Sequence, residues 1–307
     1  MKFLDVKTDF AFKKVFGSEG SKDILISFLN SLVTFPDGET IEDLTIVDPY
    51  QIPLIKGMKD TFVDVKARLS NNSTVIIEMQ VLNVQGFEQR VLYNAAKSYS
   101  SQLVQGERYH LLNPVIAITI TDFEMFDDLV DYKTVFRLIE KQHLIEYNGD
   151  IELIFIELPK FKKAESELVD IIDKWIYFVQ NAGSLAYIPE TLSTSPEIVH
   201  AFDIANMAGL TPEEHEAQWK RRDFIMLQRG SIEYAEKIGR AEGKAEGKAE
   251  GKAEGKAEGK AEGMAEGMAE GMEKATHEVA RKLQSAGVAV EIIMQVTGLS
   301  REEVEQV

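Results

Sequence analysis

The sequence has no cysteine among its 307 residues. This absence excludes disulfide bonds, thiolate catalysis and cysteine-ligated zinc. No apolar run is long enough to span a bilayer, and the first residues show no signal-peptide pattern. We therefore expect a cytoplasmic protein that does not associate with membranes.

Basic residues are also scarce. Lysine and arginine number 34 against 51 aspartates and glutamates, which gives a formal net charge of −17. Broad, nonspecific binding of nucleic acid normally needs a basic surface, so this charge argues against it. An acidic cleft filled by a metal, with a local basic rim, could still bind one phosphate. For such a protein we expect modest DNA affinity, strong salt dependence or help from a partner.

Signatures of several other enzyme classes are missing. The five histidines have no spacing typical of metal ligands. The chain has no Ser-His-Asp signature, no Walker loop and no dinucleotide-binding fingerprint. We therefore interpret the histidines as structural or surface residues.

What the sequence does contain is a pair of short apolar runs, FVDVKARL and VIIEMQV, joined by the polar turn SNNST. Both runs are rich in β-branched residues and bounded by turn formers, which predicts two strands. Side chains alternate along a strand, so Glu78 and Gln80 share one face. If the strands form a hairpin, Asp64 approaches Glu78.

Two carboxylates that approach each other closely repel each other unless a cation lies between them. Oxygen ligands of this kind suit Mg²⁺ or Mn²⁺. The residues alone leave a structural alternative open, because Asp64 could end a strand and Glu78 could pair with Lys66 or Arg90.

The segment that follows predicts a helix with a polar stripe. Arg90, Tyr93 and Lys97 are spaced by three and four residues and therefore lie on one helical face. This face could hold a phosphate beside the metal, or it could be solvated, and the residues favour neither.

An ordered series of segments resembles the PD-(D/E)XK nuclease superfamily, and within it the transposase-like, recombination-promoting nuclease (Rpn) family. The segments are, in order, KTDFAFKKVFGSEGSKDILISFLNSL, KGMKDTFVDVKARL, VIIEMQV, FEQRVLYNAAKSYSSQLVQGERY and LNPVIAITITDF. The similarity is close over roughly the first two-fifths of the chain and continues loosely to about residue 235.

The resemblance implies an α/β fold with a restriction-endonuclease-like αβββαβ core, a Mg²⁺ cofactor (or Mn²⁺) and DNA as the substrate. It implies that Asp64 and Glu78 bind the metal and form the catalytic set with Gln80. Asp9 is a further candidate ligand, since the superfamily often draws an acid from its first helix. Asp9 also follows Thr8 at a helix start, where the dipole favours a carboxylate anyway.

One position departs from the superfamily pattern, which usually has lysine where this chain has Gln80. Glutamine can orient a water but adds no charge. The transposase-like branch commonly carries glutamine here, so the change does not imply inactivity. The positive charge must then come from elsewhere, and Arg90 and Lys97 on the following helix are the candidates.

Periodicity predicts a helical region over 9–32, strands near 45–50, 60–69 and 74–81, a helix over 87–105, and strands near 112–121 and 151–159. We expect four regions: a nuclease-like core (1–160), a helical region (161–238), a repeat spacer (239–273) and a small helical tail (274–307).

The spacer consists of AEGK and then AEGM repeats between Ala241 and Met272. Alanine, glutamate and lysine favour helix, but each glycine costs roughly 1 kcal/mol relative to alanine. We therefore expect a flexible or fraying helical spacer. The tail has four basic and five acidic residues, which suits a protein partner or a second copy of the chain better than DNA.

These observations predict a metal-dependent DNA endonuclease of the transposase-associated, recombination-promoting class. The alternative is a non-catalytic protein-interaction module on a decayed nuclease fold. The pairing of Asp64 with Glu78 favours the enzyme, whereas Gln80 and the acidic charge favour the alternative.

Overall fold

A computed structural model describes residues 2–35, 38–51 and 61–307. The chain divides into two compact units, Met1–Gly230 and Ser231–Val307. The helices of the described residues are α1 (Asp9–Phe16), α2 (Lys22–Leu32), α3 (Phe87–Ser100), α4 (Ile171–Asn181), α5 (Glu190–Ser193), α6 (Pro196–Ile204), α7 (Pro212–Ser285), α8 (Val290–Thr297) and α9 (Arg301–Gln306).

The strands combine into a mixed sheet and a separate short pair. They are β1 (Leu44–Val47), β2 (Tyr50–Gln51), β3 (Thr61–Phe62), β4 (Val65–Leu69), β5 (Thr74–Gln80), β6 (Val115–Thr121), β7 (Lys133–Ile139) and β8 (Glu146–Glu157). The six-stranded sheet has the order β1-β4-β5-β6-β8-β7. Its strands β5, β6 and β8 are parallel, and the other neighbours are antiparallel. The α/β class expected from the sequence is confirmed.

Helices cover both faces of this sheet. On one face the large core joins α1, α2, α4 and α6 to the strands, and an aromatic cluster lies at its centre: Phe12, Phe16, Phe28, Trp175 and Phe178. On the other face α3 packs on β5 and β6 through Ala95, Ile76 and Ala117. The sheet is therefore a middle layer, with α1 on one face and α3 on the other.

Strand β5 shows the expected alternation. Val75, Ile77 and Met79 enter the large core, while Glu78 and Gln80 are only partly buried. Charged and amide groups on this strand are thus directed away from the apolar core, as period-two alternation requires.

The observed elements differ from the expected ones at several boundaries. The expected 60–69 strand is divided into β3 and β4, and Asp64 lies at the bend between them. Residue 60 and the KGMKD motif that ends there lie outside the described residues. Helix α3 ends at Ser100 instead of 105, and β6 begins only after Pro114, whose nitrogen cannot donate a ladder hydrogen bond.

Strand β7 was not predicted. It lies at the sheet edge next to β8, and most of its side chains are exposed. An edge strand with little burial lacks the one-sided apolar alternation by which strands are recognised. Its partner β8 also begins at Glu146, five positions before the expected start.

The AEGK and AEGM repeats lie inside α7, a continuous helix of 74 residues. Their side chains are exposed throughout, and a Cβ added to any glycine of the repeats would meet nothing within 4 Å. The tract is therefore helical, whereas its fraying remains a prediction. The four domain boundaries expected from the sequence also remain predictions.

In the second unit, the end of α7 packs with α8 and α9 around Ala280, Ile293 and Val304. Ser300 and Glu303 form the expected capping box at the start of α9. None of the helices in the described ranges combines the length and apolar content needed to cross a bilayer.

Candidate active site

The β4–β5 hairpin brings Asp64 to the backbone of Glu78. The Asp64 N–H donates to the Ile77 carbonyl oxygen at 3.0 Å, and Asp64 Oδ2 accepts from the Met79 N–H at 2.8 Å. These two hydrogen bonds fix the carboxylate beside the strand position that carries Glu78. The hairpin expected from the sequence therefore places both acids at one end of β5.

Arg90 of α3 joins the two polar side chains of β5. Its Nη2 atom lies 2.5 Å from Glu78 Oε1 and 2.7 Å from Gln80 Oε1. Asn94, one turn later, donates from Nδ2 to Glu78 Oε2 at 3.4 Å. Gln80 in turn donates from Nε2 to the Leu82 carbonyl oxygen at 2.6 Å. Glu78 and Gln80 thus share one face and one cationic partner.

Burial disfavours the charged forms of both acids. It raises the pKa of Asp64, while the Met79 N–H and the charge of Lys13 oppose the rise. It also raises the pKa of Glu78, against the attraction of Arg90, and the neighbouring charge of Asp64 adds to the rise. The two side chains are only 12% and 14% exposed. Each acid has one cationic partner, Lys13 or Arg90, yet the effect of burial on the pKa prevails at both.

A comparison with known protein families identifies the family of the chain. The profile of a family described as PD-(D/E)XK nuclease family transposase matches residues 6–235. The chain belongs to this family. Comparison with curated proteins and with solved structures gives no match.

Nucleases of this superfamily generally use divalent metals, and the donor atoms present fit a hard cation. Asp64 and Glu78 contribute carboxylate oxygens, and Gln80 and Asn94 contribute amide oxygens close to them. Asn94 Oδ1 is buried without a hydrogen-bond partner. Mg²⁺ commonly uses one or two carboxylates and completes its shell with water and phosphate. Across the described ranges, no group of three or more His, Cys, Asp or Glu converges on a metal position, so oxygens of other kinds would complete the shell.

Asp9 lies at the start of a helix, which is the alternative to its role as a metal ligand. Thr8 caps α1 by accepting a hydrogen bond from the Ala11 N–H, and Asp9 lies in the first turn. The Asp9 carboxylate is 2.9 Å from Arg221 Nε of α7. Its charge nevertheless adds to the raised pKa of Asp64, so Asp9 is electrostatically part of the site's surroundings.

The two cations expected from α3 occupy different surroundings. Arg90 contacts Glu78 and Gln80, with its guanidinium 5.0 Å from the centre of the Phe87 ring. Lys97 is 5% exposed, and its ammonium lies 6.0 Å from the centre of the Tyr93 ring. Of the pair, Arg90 is the one that the structure places at the carboxylates.

Sequence reasoning missed Lys13. Its Nζ atom lies 3.3 Å from Asp64 Oδ1, and its side chain is 45% exposed. The signal available was its position one turn after Asp9 on the same face of α1. The structure also shows a close approach at Gly17, where a Cβ would lie 2.9 Å from the Lys13 carbonyl oxygen and 3.3 Å from Val65 Cγ2. Glycine at this point lets the last turn of α1 approach β4, next to Asp64.

Proposed function

We propose that this protein is a metal-dependent DNA endonuclease of the transposase-associated, recombination-promoting class, acting in the cytoplasm. The observation that carries the proposal is the convergence of Asp64 and Glu78 from two strands, with the pKa of each raised by burial. We further propose that α1, β1, β4, β5, α3 and β6 correspond to the αβββαβ core of the superfamily. Membership of the nuclease family supports both statements.

In this proposal Asp64 and Glu78 hold a Mg²⁺ or Mn²⁺ ion. An ion held there would supply Lewis acidity beside the scissile phosphate. Gln80, held by the Leu82 carbonyl, orients the attacking water through its amide. Arg90 keeps Glu78 and Gln80 on one face and contacts the phosphate, a geometry that suits a guanidinium. Lys97 is the weaker candidate for phosphate contact because it is buried beneath Tyr93.

A plasmid-nicking assay tests the proposal. Supercoiled DNA is incubated with Mg²⁺ or Mn²⁺ and the wild type, Asp64→Asn or Glu78→Gln, which preserve side-chain shape. Each variant should cleave about 10³-fold more slowly, which corresponds to about 4 kcal/mol of transition-state stabilisation. Glu216→Gln, at an exposed ion pair with Lys220 on α7, is the matched control and should cleave like the wild type. Equal nicking by all four proteins would contradict the assignment.

The non-catalytic alternative has one observation in its favour. Arg90 Nη2 lies 2.5 Å from Glu78 Oε1, as in a structural ion pair. In that case residues 274–307 would provide the binding function, and the exposed side chains of Ile292 and Val296 on α8 would contact a protein partner or a second copy. Absence of nicking with either metal, together with no calorimetric metal binding, would favour this alternative.

A further inference from the structure

Strand β5 has no basic residue, whereas helix α1 has Lys13 next to Asp64. Gln80 is neutral, and both ends of its amide are engaged, with Arg90 at Oε1 and the Leu82 carbonyl at Nε2. A phosphodiester bond that is attacked by water develops negative charge on the phosphate oxygens, and a nearby cation stabilises that charge more strongly than a neutral amide. The site therefore needs a positive group that β5 itself does not provide.

The two cations of α3 leave a role for a further positive group. Arg90 lies against Phe87, and its Nη2 atom is engaged by both Glu78 and Gln80, so only part of its guanidinium can turn to a phosphate. Lys97 is almost fully buried beneath Tyr93, where a phosphate group would have to displace the ring.

Lys13 combines the two properties that are required. Its ammonium is 3.3 Å from Asp64 Oδ1, and nearly half of its side chain is accessible to an incoming substrate. The contact with Asp64 is thus one-sided: the carboxylate holds the ammonium of Lys13 from one direction, and the N–H groups that do not face Asp64 can donate to a phosphate oxygen.

The local fold holds Lys13 in this place. Thr8 caps the start of α1, and its hydroxyl also donates to Gln218 Oε1 of α7 at 2.9 Å. At the other end, Gly17 allows the last turn to contact Val65, the residue that follows Asp64. A long flexible lysine therefore projects from a backbone that is anchored at both ends of its short helix.

Resting on the proposed nuclease function, we propose that Lys13 is a catalytic residue that supplies the positive charge at the scissile phosphate. The water oxygen forms a bond to phosphorus, and the bond from phosphorus to one ester oxygen breaks. The proton of the water passes to solvent, and the leaving oxygen takes up a proton. Lys13 donates a hydrogen bond to a non-bridging phosphate oxygen throughout and is not consumed.

The test compares Lys13→Met, Lys13→Arg and Lys14→Met with the wild type. Lys14 neighbours Lys13 in sequence but pairs with Glu214 of α7, so Lys14→Met is the matched control. Single-turnover cleavage at saturating DNA separates chemistry from binding. Lys13→Met should cleave about 100- to 1,000-fold more slowly, as expected for loss of one charged transition-state contact. Lys13→Arg should stay within about tenfold of the wild type because it retains the charge, and Lys14→Met should match the wild type.

Metal binding without DNA provides a second readout. Lys13 competes with a cation for Asp64, so Lys13→Met should bind Mn²⁺ about three- to tenfold more tightly in calorimetry. A residue that merely supported the metal site would give weaker binding on removal. Slow cleavage combined with tighter metal binding is therefore the expected signature.

Two results would overturn this assignment while leaving the proposed function intact. One is cleavage by Lys13→Met at the wild-type rate, and the other is slow cleavage with weakened Mn²⁺ binding. A wild-type protein that cleaves no DNA with Mg²⁺ or Mn²⁺ would instead overturn the proposed function and the role of Lys13 with it.

Discussion

The surroundings of Asp64 and the AEGK/AEGM tract contain the same residue types, yet different forces determine their structure. Asp64 is fixed by Met79, 15 positions away in sequence, and by Lys13 of another element. In the tract, lysine, glutamate and glycine are exposed, and the glycines have no neighbouring atoms that a side chain would meet. Tertiary contacts determine the first region, and intrinsic helix propensity determines the second.

The largest expected difference between the two regions concerns large apolar side chains. Phe16 is fully buried, with ring centres at 4.7 Å from Phe12 and 4.8 Å from Phe28. Phe16→Ala should lower the free energy of unfolding by about 3–5 kcal/mol, since it leaves a cavity. Met268→Ala in the tract, where the side chain is 68% exposed, should change it by no more than about 0.5 kcal/mol.

Urea denaturation followed by tryptophan fluorescence measures this pair, because Trp175 lies in the same aromatic cluster. Comparable losses in both variants would mean that the tract is buried in the protein in solution. Intrinsic helix propensity would then not be what determines the structure of the tract.

Replacing a glycine by alanine should have a smaller effect on stability than Phe16→Ala, and the sign of the effect should differ between the two regions. At Gly17 a Cβ would be 2.9 Å from the Lys13 carbonyl oxygen, so Gly17→Ala should destabilise the protein by about 1–3 kcal/mol through overpacking. Gly259→Ala meets no neighbour and should stabilise its helix by roughly 1 kcal/mol.

Urea denaturation measures the effect of Gly17→Ala. Hydrogen exchange and limited proteolysis within 241–272 measure the effect of Gly259→Ala, since protection rises as local opening becomes rarer. Wild-type protein should be cut first within this tract. Faster cutting in Gly259→Ala would show that helix opening does not limit proteolysis there.

Much of the strand pair that carries the candidate site could be predicted from the sequence. Alternation along VIIEMQV placed Glu78 and Gln80 on one face, and the polar SNNST turn indicated the hairpin that brings Asp64 near them. These features depend on residues close in sequence, for which strand period and turn chemistry are sufficient.

Features that depend on packing between distant elements were missed. The helical period puts Lys13 on the same face as Asp9, but it does not show that α1 ends against β4, so it does not connect Lys13 with Asp64. The same holds for Arg221, which reaches Asp9 from α7. Arg90 and Lys97 lie on helix α3, as expected, but the depth of each side chain depends on the packing of α3 against the sheet.

The smallest expected effect is a pH dependence of stability that arises at Asp64. Burial raises its pKa in the folded protein above the usual 3.8. The folded state therefore binds this proton more tightly than the unfolded chain does. The contribution of Asp64 to stability is fully present below pH 3.8 and is lost as the pH rises through the raised pKa of the folded state.

Replacing Asp64 by asparagine removes this titration. Asp64→Asn should therefore be more stable than the metal-free wild type at neutral pH, and the difference should shrink as the pH falls towards 4. Thermal melting from pH 3.5 to 8 measures the difference, with Glu216→Gln as a control at an exposed acid.

Coupling between the two acids sharpens this prediction. The charge of Asp64 contributes to the raised pKa of Glu78, so removing either charge removes the repulsion on the other carboxylate. The stabilisation in the Asp64→Asn, Glu78→Gln double variant should therefore be smaller than the sum of the two single effects.

Mg²⁺ should raise the melting temperature of the wild type and leave that of the double variant unchanged, since a metal stabilises only the state that binds it. An Asp64→Asn variant that is less stable than the wild type at every pH would mean that attraction from Lys13 and the Met79 N–H outweighs burial. In that case burial of Asp64 would not favour metal binding at the site.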